Sequence, residues 1–443
     1  MNSPATTRLP IAQRRRARRL AYINGSLWAL GNGLISGTLV VALAIQLGLS
    51  RDEGLWISLI KAAPHLAGVL RLGAPALVGR LGDRKAVCIG AYFLSALPLL
   101  AIPLVVVPGL WPSSEAAIGA LVGPWCGYHL LEYVATVLFH AWLADIAPVR
   151  IRGRFLGRRE RWMVMSQAVS MLAAAALNHV WKEAQCSPDW AASAVTAAVG
   201  TLFLIAALVP LMRMPAAAGR AALGRSTPWA ALVRPLVDRR FVALLAFGGW
   251  FSFCSGLVQS PQEIYPYRVL GMTVASLLIL RTLMRVGQYA LSPWFGRLTD
   301  RIGYRPILAA CLPIVAAGTL FYQAAAPEHP GWIAGAWAAW IAYAGINIAL
   351  PGLMLKTSPD ENRAAYVAAF YTLSGLCVAA GTVAGGYLFD AIDGWQLVLA
   401  DGRFTLERYG LFFTGGWLAR TAGVAILLAV AEPHAAGPRK GAL

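Results

Sequence analysis

The residues able to do chemistry in this 443-residue chain are charged and amide side chains set at helical spacing inside long apolar runs. Arg281, Arg285, Gln288 and Ser292 follow one another at steps of four, three and four, which puts them on one helix face. His129, Glu132, Thr136 and His140 form a second stripe. Lys61 and His65 lie one turn apart, with Arg71 on another face. Ser255, Gln259 and Glu263 make a third group, and Asn32, Gln46, Gln167, Asn178, Trp340, Tyr343 and Asn347 add polar edges to further runs. A charge within an apolar run of membrane length is costly, so such residues face a partner or a wet cavity. The bases are Lys61, Arg71, Arg281, Arg285 and Arg420; Glu132 is the deep acid, and Glu263 sits nearer the end of its run. Two readings stay open. The bases pair or snorkel within the protein, or they await an anion, whose carboxylate or phosphate suits a guanidinium fork. Glu132 likewise reads either as a proton-coupling carboxylate, held between burial and a nearby base, or as a fixed ion-pair partner of Lys61 or Arg71. His129 and His140 read as hydrogen-bonding packers.

The elements that must position these residues are membrane spans. With 58% hydrophobic and 13% charged residues the composition is not that of a soluble domain. Six apolar runs occupy about 21–48, 55–78, 87–107, 116–144, 162–180 and 191–211. Six more occupy about 241–265, 273–295, 306–324, 332–355, 364–388 and 409–430. Each is long enough for a bilayer, which takes roughly 20 residues. The first run could imitate a secretory signal, but it is too long for one and reads as an uncleaved helix. Of 38 Lys and Arg, 28 fall in the tails, the linker and alternate loops, and 5 in the other loops, which predicts both termini in the cytoplasm. The formal net charge of +18 is thereby a topology signal, and nucleic-acid binding is not expected. The six cysteines have no metal or redox spacing, and no structural disulfide is expected.

The chain also repeats itself. Gly79-Arg-Leu-Gly-Asp-Arg84 returns as Gly296-Arg-Leu-Thr-Asp-Arg301, each copy between two apolar runs and one in each half. A second echo pairs Pro148 and Arg152 with Pro359 and Arg363, four residues apart in both. These loops resemble the Gly-x-x-x-Asp-Arg/Lys-x-Gly-Arg/Lys-Arg/Lys signature of the major facilitator superfamily of secondary transporters. The second copy fits through Gly303 and Arg305; the first fits only to Lys85, where Ala86 and Val87 replace the expected Gly and base. The resemblance implies an all-α integral membrane protein of twelve helices in two six-helix bundles. It also implies a cavity lined by helices 1, 2, 4, 5, 7, 8, 10 and 11, and loops that clasp the halves while the protein is open outward.

The expected organisation is a basic tail at 1–20, a first bundle at 21–212, a linker at 213–240, a second bundle at 241–431 and a tail at 432–443. Cavity candidates are Asn32, Lys61, His65, Arg71, Glu132, Gln167, Gln259, Glu263, Arg281, Arg285, Gln288 and Asn347, with Glu132 as coupling carboxylate. Gating candidates are Gly79, Asp83, Arg84, Arg152, Gly296, Asp300, Arg301, Gly303, Arg305 and Arg363. The expected function is secondary active transport of a small, anionic solute by proton-coupled alternating access, in a monomer in a cell membrane of the bacterial inner-membrane kind. No nucleophile, metal site, Walker loop or cofactor motif is present, so an enzyme is not expected. The alternative is a non-transporting assembly factor or sensor on the same scaffold. Span 4 lacks the Arg, and span 5 the Gly-Pro pair, of drug antiporters in this superfamily, and no sugar-porter run is seen.

Overall fold

Ser36 breaks the first apolar run. Its hydroxyl accepts from Leu39 N at 3.4 Å and restarts the chain as a second helix, so that one span is built of α1 (Ile11–Leu34) and α2 (Gly37–Gln46). Further spans are also built of two helices, but without a side-chain cap, at Ala207 and Val258. In the computed structural model, residues 10–48, 52–68, 84–107, 109–146, 149–186, 188–216, 234–359, 363–399 and 404–432 are described. The first half continues with α3 (Glu53–Ala67), α4 (Arg84–Leu99), the short α5 (Ile102–Val105), α6 (Ser114–Ile146), α7 (Val149–Glu183), α8 (Asp189–Ala206) and α9 (Leu208–Arg213). The second holds α10 (Arg239–Leu257), α11 (Gln259–Arg268), α12 (Val274–Ile302), α13 (Tyr304–Ala324), α14 (Ile333–Ala339), α15 (Tyr343–Thr357), α16 (Arg363–Ala391) and α17 (Arg408–Leu428). An antiparallel hairpin of β1 (Gln396–Leu399) and β2 (Phe404–Glu407), with Gln396 opposite Glu407, joins the last two helices. The sequence reading has only a loop there.

Among the described residues ten helical segments are long and apolar enough to cross a membrane. The two remaining expected spans fall on α3 and on the 33-residue α6. Phe93, Leu94, Leu97, Leu100 and Leu104 are exposed along one face of α4 and α5, a lipid-facing stripe. One buried cluster, containing Phe139, Trp142 and Phe155, lies wholly in the first half; another, containing Phe241, Leu312 and Phe370, lies wholly in the second. A third crosses between them, bringing Ile264, Val274, Leu278 and Phe389 onto Ile57, Ile60 and Met171. The halves meet where α3 packs on α16 and α7 on α12.

Glycines set two of these approaches. Any side chain at Gly381 or Gly385 of α16 would run into the backbone of Phe253 or Leu257 on α10, inside the second half. One position on, a Cβ at Gly54 would stand 2.5 Å from the carbonyl oxygen of Gly386, where α3 crosses α16 between halves. The Gly-x-x-x-Gly pattern therefore serves packing within the chain.

The repeated loops are anchored differently in the two halves. Gly303 has φ +92°, which favours glycine, and joins α12 to α13. There Glu432, just beyond α17, accepts from Tyr304 N at 3.2 Å and Arg305 N at 3.0 Å and pairs with Lys356 at 2.9 Å. Burial opposes its charge, but hydrogen bonds from Arg305 N, Lys356 and Tyr304 N outweigh it and hold this carboxyl below the usual range. In the first half the chain is already helical at Arg84, and Lys85 Nζ donates to the carbonyl oxygens of Met212 at 2.9 Å and Met214 at 2.7 Å. Asp300 and Arg301 are exposed, and no ion pair to Asp300 is formed among the described residues. Gly79 and Asp83 lie outside the described residues, as do the side chains of Arg84, Arg152 and Arg363.

Two outcomes follow from this packing. Gly385→Val should overpack the α10–α16 contact by about 1–3 kcal/mol and lower the melting temperature by a few degrees, read by thermal unfolding in detergent. Glu432→Gln should remove stability that the parent has above the ordinary Glu titration range and loses as pH falls through the lowered value; melting curves against pH should therefore converge for the two proteins in acid.

Candidate substrate cavity

A cavity of about 640 Å³ lies between the halves. Of the residues expected to line it, Asn32, Lys61, His65, Gln167, Gln259, Glu263, Arg281, Arg285, Gln288 and Asn347 all do. Arg71 lies outside the described residues. Glu132 is not in the wall. It is buried with 6% exposure, and it accepts at 2.6 Å from Thr136 Oγ1, which in turn meets Tyr92 Oη of α4 at 3.0 Å. It belongs to a polar cluster inside the first half.

The acid that faces the cavity is Glu263, from α11. Its Oε1 lies 2.5 Å from Lys61 Nζ of α3 and 3.2 Å from Arg281 Nη2 of α12. Lys61 comes from one half, Glu263 and Arg281 from the other. The three side chains are 12%, 14% and 23% exposed, so water screens the pair weakly. Arg281 also stands over the Trp337 ring at 5.7 Å. Towards the same end, Glu53 pairs with Arg268 at 2.9 Å, and Asp390 of α16 accepts from Gly54 N and Leu55 N at 2.8 Å each. A carboxylate at the amino end of α3 satisfies two open backbone donors and meets the helix dipole. These contacts join the two halves at the Glu53 end.

The wall deeper in is organised by amides and aromatics. Arg285 Nη1 donates to Gln288 Oε1 at 3.3 Å, and Gln288 Nε2 donates to the Trp340 carbonyl at 2.9 Å. Tyr128 Oη donates to Asn32 Oδ1 at 3.0 Å. Gln259 Oε1 accepts from Thr382 Oγ1 at 2.9 Å. His129 makes no hydrogen bond through either nitrogen; its ring stands edge-on to Trp125 at 4.5 Å and beside Tyr128 at 4.8 Å. It packs, as expected, but through its ring.

Two residues have places that the spacing did not assign. Arg420 of α17, a helix expected to brace the outside, is 3% exposed and reaches the cavity, held by a 3.3 Å bond from Nη2 to the Ser255 carbonyl. Arg159, expected in a loop, is on α7, 8% exposed, with its guanidinium 5.2 Å from the Phe139 ring centre. The signal for Arg420 was its position mid-span; Arg159 had none, because the charged start of α7 reads as loop.

Residues 264–402 match the model of the Major Facilitator Superfamily. The whole fold matches solved transporters. A nucleoside transporter, NupG, superposes with a TM-score of 0.66 at 10% identity, over 95% of this chain and 99% of that one. A D-xylose–proton symporter gives 0.66 at 16%, over 94% and 98%. A bacterial homologue of the human lysosomal transporter Spinster, inward-facing and unoccupied, gives 0.63 at 16%, over 96% of each chain. No curated protein matches the chain by sequence. At these identities the likeness is one of fold, that of a multi-pass membrane protein.

Glu263→Gln should leave Lys61 and Arg281 facing each other without their acid. Removing one partner of a buried pair costs about 3–5 kcal/mol, so the variant's melting temperature should drop, and Lys61→Met in addition should restore part of the loss.

Proposed function

We propose that the protein is a secondary active transporter that moves a small solute by alternating access, with twelve spans in two bundles at 21–212 and 241–431 and a linker between them. The observation that carries this reading is the cavity between the halves, tied shut at the Glu53 end by bonds that cross from one half to the other. The base-rich loops are at the opposite end, which the distribution of Lys and Arg places in the cytoplasm. The structure then corresponds to an inward-facing state of a monomer in a cell membrane, of the bacterial inner-membrane kind. Exposed, unpaired Asp300 suits a latch that engages only in the outward-facing state.

Glu263 is a better coupling carboxylate than Glu132. It touches the cavity and joins both halves, whereas Glu132 is enclosed beside Thr136. A proton on Glu263, or a ligand competing for Arg281, would loosen the clasp and favour opening at the Glu53 end.

Disulfide locking tests the mechanism without knowledge of the solute. In a background freed of native cysteines, Glu53→Cys and Arg268→Cys are cross-linked, and a third cysteine replaces Gln259. Cross-linking should abolish labelling of position 259 by an impermeant thiol reagent from outside, leave labelling from inside, and reverse with reductant. Labelling that ignores the cross-link would rule out alternating access. Once a solute is known, Glu263→Gln should abolish proton-driven accumulation while retaining solute exchange, and Glu132→Gln should retain both.

A further inference from the structure

We infer that the solute is an organic anion with a flat, unsaturated body, and that Arg420, together with Arg285, selects it by its carboxylate. The inference rests on the transporter reading and names the class of ligand for its cavity. Among the described residues the bases Lys61, Arg281, Arg285 and Arg420 line the cavity against one acid, Glu263. Glu263 is already shared by Lys61 and Arg281. Arg285 and Arg420 therefore have no carboxylate within ion-pair distance among the described residues. Glu160 on α7 is near enough to interact with Arg285 but forms no ion pair with it.

The two bases differ in their surroundings. Arg285 is open to the cavity and, among the described residues, bonded only to Gln288. Arg420 is 3% exposed, has one long bond to a carbonyl, and keeps Nε without a partner among the described residues. A guanidinium at this depth is strongly unfavourable unless an anion or a set of acceptors completes it. Two further donors of the cavity wall point the same way. Gln262 Nε2 and Trp337 Nε1 are buried and unpartnered, and both residues belong to the cavity wall. Neither N–H group can accept, so the missing partner is rich in acceptors, as a carboxylate is. Five further aromatic side chains share the wall: Trp28, Trp125, Tyr322, Trp340 and Tyr343. Flat rings stack on such side chains, and about 640 Å³ is in the range that holds a small organic molecule.

The test uses the purified full chain in detergent and three probes of one shape: benzoate, benzamide and benzylamine, with inorganic phosphate as a fourth. Benzoate at millimolar concentration should raise the melting temperature and give a saturable binding isotherm; benzamide and benzylamine should not. Phosphate alone should bind more weakly than benzoate, since it lacks the ring. Arg420→Met should weaken benzoate binding roughly tenfold to a hundredfold, the range for losing a charge-assisted hydrogen bond. Arg420→Lys should recover part of it, which separates lost charge from lost packing. If Arg420→Met folds poorly, Arg285→Gln, at an open position, carries the same prediction. Equal binding of benzoate and benzamide, no binding of benzoate, or benzoate binding that survives both substitutions, would overturn the assignment. Failure here with position 259 still switching sides removes the anion and keeps the transporter; a static position 259 removes the transporter.

Discussion

Glu263 is shared between a base from each half of the molecule, and the closed end of the cavity depends on that sharing. A lone carboxylate at this depth would be expelled or neutralised, and Lys61 and Arg281 would repel one another without it. The three charges are stable only while α3, α11 and α12 are together, so the bond energy is available only in the state with the Glu53 end shut. The Asp390 cap on α3, the Glu53–Arg268 pair and the Gly54–Gly386 crossing add to the same state, and each joins groups from different halves. None of these contacts stabilises either bundle by itself. Among the interactions that do, Gly381 and Gly385 against α10 are apolar and close-packed. The division separates a rigid interior from a seam that can be broken at modest cost, which is what a two-state pivot requires.

Much of the fold was legible because a bilayer leaves the backbone few choices. Apolar runs of sufficient length must be helices, and charges at helical spacing must turn inward, as Lys61, Arg281, Arg285 and Gln288 do to line the cavity. Glu132 shows the limit of that rule. Its stripe does turn inward at Trp125 and His129, but one turn further on Tyr92 and Thr136 cover the face, and the carboxylate is satisfied inside its own half. Spacing reports the face of a helix and is silent about what covers each level of it. Arg420 shows the converse. Its helix lies outside the seam, yet the side chain crosses along the Ser255 carbonyl of α10, beside the small residues Gly416 and Gly423 on its own helix. Reach of this kind depends on the neighbour's surface, which no single run contains. The β1–β2 hairpin was missed because four-residue strands carry too little pattern to separate from a loop.

The unequal repeated loops have a physical explanation at the other end of the molecule. In the second half, the turn needs Gly303 both for its positive φ and for space, since a Cβ there would press on the Glu432 carboxylate at 3.1 Å. An acid just past α17 thus accepts from the backbone at the start of α13, so the glycine and the acid are coupled requirements. In the first half the chain is already helical at Arg84, and the bond to the end of the sixth span runs the opposite way, with Lys85 donating to the carbonyls of Met212 and Met214. Helix ends leave carbonyls unpaired, and a lysine is a sufficient partner for them. The loss of the glycine at Ala86 is therefore accompanied by a change of anchor, from an acid gripping a helix start to a base gripping a helix end. Both ties hold the helix that follows a repeated loop to the last span of its own half.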